Sequence, residues 1–197
     1  MKGRLLVTIG GGLLLLAILA WGVTRGLERL VEPGPTTPMS ATSPEEPPAD
    51  VPRITATLFY ASADGRALVP VRREVALADG VVQQGLEILA AQLQGAPPPY
   101  LSVIPPGTTL RAFFVTGRAD AFVDLSGDVS AQHPGGSFAE MLTVYAIVNT
   151  ITGNLPGVQR VQILIDGSEA DTLAGHVDLR RPLEQDLSFV REEGAIQ

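Results

Sequence analysis

The pattern of apolar positions begins with a run that is too long and too uniform for a soluble core. Residues 5–23 (LLVTIGGGLLLLAILAWGV) carry no charge, and a helix of this length spans about 30 Å, the thickness of a bilayer's hydrocarbon core. Lys2 and Arg4 precede the run, and basic residues favour the cytoplasmic side. The pattern predicts a cytoplasmic tail at 1–4, one transmembrane signal anchor at 5–23, and an extracytoplasmic C-terminal part.

A cleaved signal peptide is the alternative interpretation of this segment, because signal peptides also combine a basic start with a leucine-rich run. Ala20-Trp21-Gly22 is a poor match to the small-x-small pattern of a cleavage site. We therefore favour the uncleaved anchor, while cleavage stays open.

A polar, proline-rich segment follows the apolar run. Residues 33–52 contain seven prolines and no aromatic residue, so they cannot bury enough surface to fold and are predicted to be extended. We expect a linker at 24–52, one folded domain at 53–190 and a frayed tail at 191–197.

The first half of this domain alternates as strands do and then changes to a helical period. Residues 54–60 and 68–75 are rich in β-branched and aromatic residues and flank the turn-forming residues 63–65, which predicts a hairpin. Apolar residues then recur at helical spacing over 80–94, and Asp79 is placed to cap that helix.

The second half repeats this order. Residues 109–115 and 120–125 predict a second hairpin. Ser137 and Glu140 have the spacing of a capping box ahead of an apolar helix, and 158–165 predicts a further strand. The order ββαββαβ predicts an α+β domain with a mainly antiparallel sheet and helices on one face.

Composition narrows the chemistry. The formal net charge is −7, which disfavours nucleic acid as a partner. The chain has no cysteine, so disulfides, thiolate metal sites and acylation of a lipoprotein cysteine are excluded. Its only lysine is Lys2, so the folded domain has no lysine for a phosphate-binding loop or a Schiff base. No cofactor is implied.

Three residues are candidates for catalysis. Ser137 follows two glycines at a predicted helix start, as in a nucleophile elbow, although no strand precedes it and a helix cap explains the same serine. His133 and His176 are the only histidines and hence the only candidates for a histidine base.

An alternation of oxygen-bearing side chains resembles the start of a calcium loop. Asp124, Ser126 and Asp128 occupy alternate positions, but Val129 and Gly135 stand where such a loop requires glycine and glutamate. We therefore predict a turn at a strand end and no metal.

Seven segments, in this order along 54–183, resemble the GerMN domain, a sporulation and spore germination module of GerM and LpqB-type lipoproteins. These segments are 57–60 (TLFY), 68–70 (LVP), 104–108 (IPPGT), 122–126 (FVDLS), 145–150 (YAIVNT), 161–167 (VQILIDG) and 172–179 (TLAGHVDL).

The resemblance implies an extracytoplasmic module of the bacterial cell envelope, similar in fold to the ring-building domains of sporulation secretion complexes. It implies assembly or ligand binding, and it brings no agreed catalytic residues. Because this chain lacks the cysteine of the lipoprotein members, residues 5–23 are expected to hold it in the cytoplasmic membrane.

The leading hypothesis is a membrane-anchored, non-enzymatic module that binds a cell-envelope protein or peptidoglycan. Loops on a rigid scaffold are the expected contact surface, and the predicted contact residues are Asp124, Ser126, Asp166, Gly167 and His176.

Two alternatives remain. The first is a peptidoglycan hydrolase that uses Ser137, Glu140 or His176. The second is a homo-oligomeric ring formed by pairing of edge strands.

Overall fold

The computed structural model describes residues 51–191. The predicted anchor at 5–23 lies outside the described residues, as do the linker at 24–52 except for its last two residues and the tail at 191–197 except for Arg191. Among residues 51–191, no helix is long and apolar enough to cross a membrane. The predicted domain boundaries therefore stay predictions.

The first sheet is the predicted N-terminal hairpin. Strands β1 (Arg53–Ala61) and β2 (Leu68–Ala76) pair antiparallel over their whole length. Side chains from both faces of β1 are buried, with Leu58 and Tyr60 in the main core and Phe59 in a second, smaller cluster. The hairpin is thus covered on both sides.

A second sheet contains the remaining strands. The predicted hairpin of β3 and β4 is confirmed, β4 and β5 run parallel, and β6 and β7 each pair antiparallel with β5. These strands are β3 (Leu110–Val115), β4 (Asp120–Leu125), β5 (Arg160–Ile165), β6 (Ser168–Glu169) and β7 (Leu183–Glu184).

Two long helices contact both sheets, which corrects one part of the prediction. The helices are α1 (Gly80–Leu93), the short α2 (Asp128–Ala131) and α3 (Ser137–Asn154). Helix α1 lies against β1, β2 and β3, whereas α3 lies against β1, β5 and β7. The α+β class is confirmed and antiparallel pairs predominate, but a single sheet with helices on one face is wrong.

The parallel pair has a topological cause. Helices α2 and α3 both lie between β4 and β5 in the chain, and a connection of that length can return the chain to the same end of the sheet before the next strand begins. Strand β5 therefore runs in the direction of β4.

Side chains from the helices close the outer edge of β1. The Asn154 side-chain amide accepts the Thr57 N–H at 2.8 Å and donates to the Thr57 carbonyl at 2.7 Å. The Phe59 N–H donates to Thr150 Oγ1 at 3.2 Å, and Gln92 Nε2 donates to the Phe59 carbonyl at 2.7 Å. These bonds replace a neighbouring strand, which is why the hairpin stays two-stranded.

Helix α1 begins where predicted but without the predicted cap. Asp79 occupies the N-cap position, yet its side chain makes no capping hydrogen bond. Instead, Gln84 reaches back from the second turn, accepting the Ala78 N–H and donating to the Ala76 carbonyl, both at 3.0 Å. A buried glutamine thus does what a capping carboxylate does elsewhere.

The helix backbone approaches β3 closely at Gly85. A Cβ built at this position overlaps the Phe113 ring, and both residues are buried. Only glycine lets the ring lie directly on the helix backbone.

We expect Gly85→Ala to destabilise the domain. Alanine adds about 1 kcal/mol of helix propensity, but overpacking against Phe113 costs more, so the free energy of unfolding should fall by about 1–2 kcal/mol. Urea denaturation followed by circular dichroism measures the change.

Gly153→Ala is the matched control, since it also lies in a helix and its added Cβ would contact only the flexible Gln185 amide, at 3.4 Å. Equal losses in the two variants would contradict the close-approach argument.

Candidate functional site

A carboxylate buried at the start of α3 organises one loop. Glu140 is 0% exposed. Its Oε1 accepts the N–H groups of Leu173 (2.9 Å) and Ala174 (2.8 Å), and its Oε2 accepts the His176 N–H (2.8 Å) and contacts His176 Nδ1 (3.0 Å). The segment 172–177, called here the Glu140 loop, therefore wraps around one charged group.

These hydrogen bonds decide the charge of Glu140. Burial alone would raise the pKa of this carboxyl, but hydrogen bonds from the backbone of Ala174, Val177 and His176 and from the His176 ring hold it below its ordinary value. The side chain is therefore an anion at neutral pH, buried but fully hydrogen-bonded.

The predicted capping box is wrong for this reason. Ser137 is the first residue of α3 rather than its cap, and the N-cap residue is Gly136, with φ at 87°. Glu140 turns away from the helix start to the Glu140 loop, 33 to 36 residues further along the chain. A local spacing rule cannot register so distant a set of donors.

The structure pairs two of the residues named for hydrolysis but leaves out the third. The His176 side chain is 45% exposed while Glu140 holds its Nδ1, an arrangement in which Nε2 faces outward. Ser137 is also exposed, yet among the described residues it makes no hydrogen bond to His176. A nucleophile in contact with the histidine is therefore missing from this arrangement.

Four of the five predicted contact residues lie together at one end of β4 and β5. This cluster, the polar edge, consists of Asp124, Ser126, Asp166 and Gly167 together with Arg111. Asp124 Oδ1 accepts the Gly167 N–H at 2.8 Å, and Arg111 lies 3.3 Å from Asp124 and 3.6 Å from Asp166.

The polar edge also has a structural role. Asp166 and Gly167, with φ of 51° and 78°, form a two-residue hairpin turn between β5 and β6, a turn that requires φ above zero at both positions. Asp166 Oδ1 accepts the Gly127 N–H at 3.1 Å, and Ser126 Oγ accepts the Thr109 N–H at 3.0 Å. These side chains hold turns at the strand ends.

The fifth predicted residue, His176, belongs to the Glu140 loop and contacts none of the other four within the part of the chain that the structure describes. The sequence thus predicted one surface where the structure has two separate groups. Across residues 51–191, no three histidine, aspartate or glutamate side chains converge as a metal site, and Asp128 accepts a hydrogen bond from Ser126 Oγ at 3.1 Å.

An apolar groove lies beside the first turn of α3. It encloses about 310 Å³ between the loop at 101–106, the segment 132–134 and α3, and no charged side chain lines it. Leu101 and Phe138 stand at its rim, 49% and 42% exposed. Its lining residues are Ala61, Gly65, Leu101, Ser102, Val103, Ile104, Pro105, Pro106, Gln132, His133, Pro134, Phe138, Ala139, Leu142 and Thr143.

His133 ties the walls of this groove together. Its Nδ1 accepts the Gly135 N–H at 3.0 Å, so in the neutral ring Nε2 carries the proton and donates to Thr143 Oγ1 at 3.1 Å. Thr143 Oγ1 donates in turn to the Val103 carbonyl at 2.6 Å. Burial lowers the pKa of His133, against the opposing charge of Glu140, so the ring is neutral at neutral pH.

Sequence reasoning missed the groove. The residues 104–108 entered only as a family motif, and His133 only as a candidate base. The one local signal was Phe138, an aromatic residue in the first turn of a helix whose other side is buried. Chain separation hid the rest, since Val103 and Thr143 are 40 residues apart.

A family model described as "Germane: Sporulation and spore germination" matches residues 57–171. Among curated protein sequences there is no significant match.

Solved structures share the fold at low sequence identity. The tandem GerMN domains of the sporulation protein GerM from Bacillus subtilis align at 19% identity with a TM-score of 0.51, over 70% of this chain and 46% of that one. The first GerMN domain of that protein aligns at 18% identity and 0.47, over 68% and 96%. A Clostridium perfringens protein provisionally described as a lipoprotein aligns at 24% and 0.49, over 67% and 87%.

We expect Glu140→Gln to lower the free energy of unfolding by about 3 kcal/mol. The amide replaces one carboxylate oxygen with a donor, which leaves buried N–H groups of the Glu140 loop without an acceptor. Urea denaturation gives the magnitude, and amide hydrogen exchange should show the largest loss of protection at Leu173, Ala174 and His176. Glu87→Gln, on the exposed face of α1, is the control and should change stability little.

The two depressed pKa values predict separate pH windows. The unfolded chain protonates His133 near its ordinary pKa of 6.5, before the folded chain does, so stability should fall as the pH drops through that value. The stability contributed by Glu140 is present above its ordinary pKa of 4.5 and is lost as the pH falls through its lower folded value.

The variant His133→Asn keeps an acceptor for the Gly135 N–H but cannot titrate. Thermal unfolding at several pH values should show a smaller decline between about pH 7 and 5.5 than in the unsubstituted protein, with parallel declines below about pH 4.5. Identical slopes in the upper window would contradict the assignment.

Proposed function

The chain belongs to the Germane family of sporulation and spore germination domains, and we propose that it is a non-enzymatic binding module of the bacterial cell envelope. The family membership inferred from the sequence is confirmed by the match over residues 57–171. The proposed role is to bind a protein or peptidoglycan outside the cytoplasm while residues 5–23 hold the chain in the cytoplasmic membrane. A role in sporulation or germination is part of the proposal, supported by the family description.

The apolar groove is the observation on which the binding role rests. Soluble domains seldom leave an open apolar cavity with exposed aromatic and leucine side chains at its rim unless something binds there. The polar edge stays a predicted contact surface, but its aspartates already accept hydrogen bonds from backbone N–H groups. The groove therefore offers more uncommitted contact area.

No observation favours the hydrolase alternative. Glu140 and His176 do form a pair, but the three backbone N–H groups that Glu140 also accepts account for its burial without catalysis.

Site-specific photocrosslinking in intact cells tests the binding role. A photoreactive phenylalanine analogue replaces Phe138 at the groove, Ser168 at the polar edge, or Arg118 in the exposed β3–β4 turn as the control. We expect adducts mainly from position 138. Adducts from position 168 alone would favour the polar edge instead, and their absence from both positions would contradict a binding module.

A second arm uses the groove to check specificity. Leu101→Arg places a charge at the exposed rim, where it should not disturb folding, and is expected to reduce the adducts from position 138 about tenfold. Unchanged adducts would mean that the crosslinked partner does not enter the groove.

A further inference from the structure

We propose that the occupant of the apolar groove is an uncharged, apolar segment of a protein rather than a glycan. This inference rests on the proposed binding function and chooses between the two partner classes that it leaves open. The argument comes from the charge, hydrogen bonding and size of the groove.

The lining is uncharged in a chain that is otherwise rich in charge. Charged residues make up 18% of the sequence, yet the groove lining includes none. A partner that brought a carboxylate or an ammonium group into the groove would lose its hydration without gaining a counter-charge. The segment that enters must therefore be neutral.

The polar side chains of the lining are already hydrogen-bonded within the domain. Ser102 Oγ donates to the Ile104 carbonyl at 3.1 Å, and the bonds described above occupy both ring nitrogens of His133 and the hydroxyl of Thr143. Among the lining residues, all of which the structure describes, Gln132 alone has a side chain with uncommitted donors and acceptors.

This inventory disfavours a sugar. Glycans present many hydroxyl and amide groups, and each one that is buried without a partner costs free energy. One glutamine at the rim cannot satisfy a disaccharide. Apolar side chains, by contrast, gain from contact with Leu101, Phe138 and Leu142 without requiring any new hydrogen bond.

The size fits a few anchoring side chains. About 310 Å³ is at the lower end of the range for ligand pockets, and binding energy at protein interfaces is concentrated in a few apolar or aromatic residues seated in such cavities. We infer one or two large apolar side chains on an otherwise uncharged peptide segment.

Two probes separate the partner classes. The full-length chain in lipid nanodiscs is panned against a phage-displayed library of random 12-residue peptides, and the same preparation is sedimented with purified peptidoglycan sacculi. We expect enriched peptides that contain Phe, Leu, Ile or Met without neighbouring charges. Their affinity should change less than about twofold between low and high salt, because no ion pair contributes.

Matched variants locate the binding. Phe138→Ser should weaken binding of the selected peptides about tenfold, whereas Val81→Ser, which removes an apolar side chain of similar exposure (40%) from α1, should not. Sedimentation with sacculi should be absent or equal in the two variants.

Two outcomes would overturn the inference. Loss of sacculus binding in Phe138→Ser, with no peptide enriched, would make the occupant a glycan while leaving the binding module intact. Selected peptides that bind Phe138→Ser as well as the unsubstituted protein would place the peptide site outside the groove, whatever the crosslinking shows.

Discussion

The buried carboxylate of Glu140 is the contact on which the arrangement around α3 depends. An isolated charge in this position would cost several kcal/mol, and the domain offsets that cost with three backbone N–H groups and one imidazole nitrogen. The dependence is mutual, since those N–H groups belong to a loop without regular structure and have no other acceptor. The helix and the loop therefore need each other.

Glu140 is the first of several polar side chains by which α3 holds irregular segments. Thr143 donates to the Val103 carbonyl, and Asn149 both donates to the Asp186 carbonyl (2.7 Å) and accepts the Asp186 N–H (3.0 Å). Further along, Thr150 and Asn154 close the edge of β1. Each bond satisfies a backbone group that no strand or helix reaches, so one central helix replaces several missing strands.

This role explains which parts of the fold could be predicted from the sequence. The hairpins and the long helices follow from local periodicity and turn residues, and Asp166-Gly167 is a turn because its backbone conformation suits those residues. What α3 does with its polar side chains is not local. The Ser137 and Glu140 spacing is the same whether the glutamate returns to the helix start or turns to a distant loop, and only burial distinguishes the two.

The division into two sheets has the same origin. Asn154, Thr150 and Gln92 could each have been exposed helix residues by their type, and a strand edge left open beside them would have invited pairing with the second sheet. Because their partners are 33 to 97 residues away, no window of sequence indicates that these side chains fill that edge. The contact surface was divided for a related reason, since the predicted residues were grouped by loop type rather than by position in space.

The two candidate features of the site are linked through one turn of α3. Glu140 faces the Glu140 loop, while Phe138, Ala139 and Leu142, within two residues of it, line the apolar groove. Fixing the carboxylate therefore fixes the rotation of the helix about its own axis, which in turn sets the direction in which Phe138 projects. On this reasoning the Glu140–His176 pair, which resembles half of a catalytic set, acts as a support for the rim of the groove. Its charge is spent on geometry, and the surface it positions is the uncharged one.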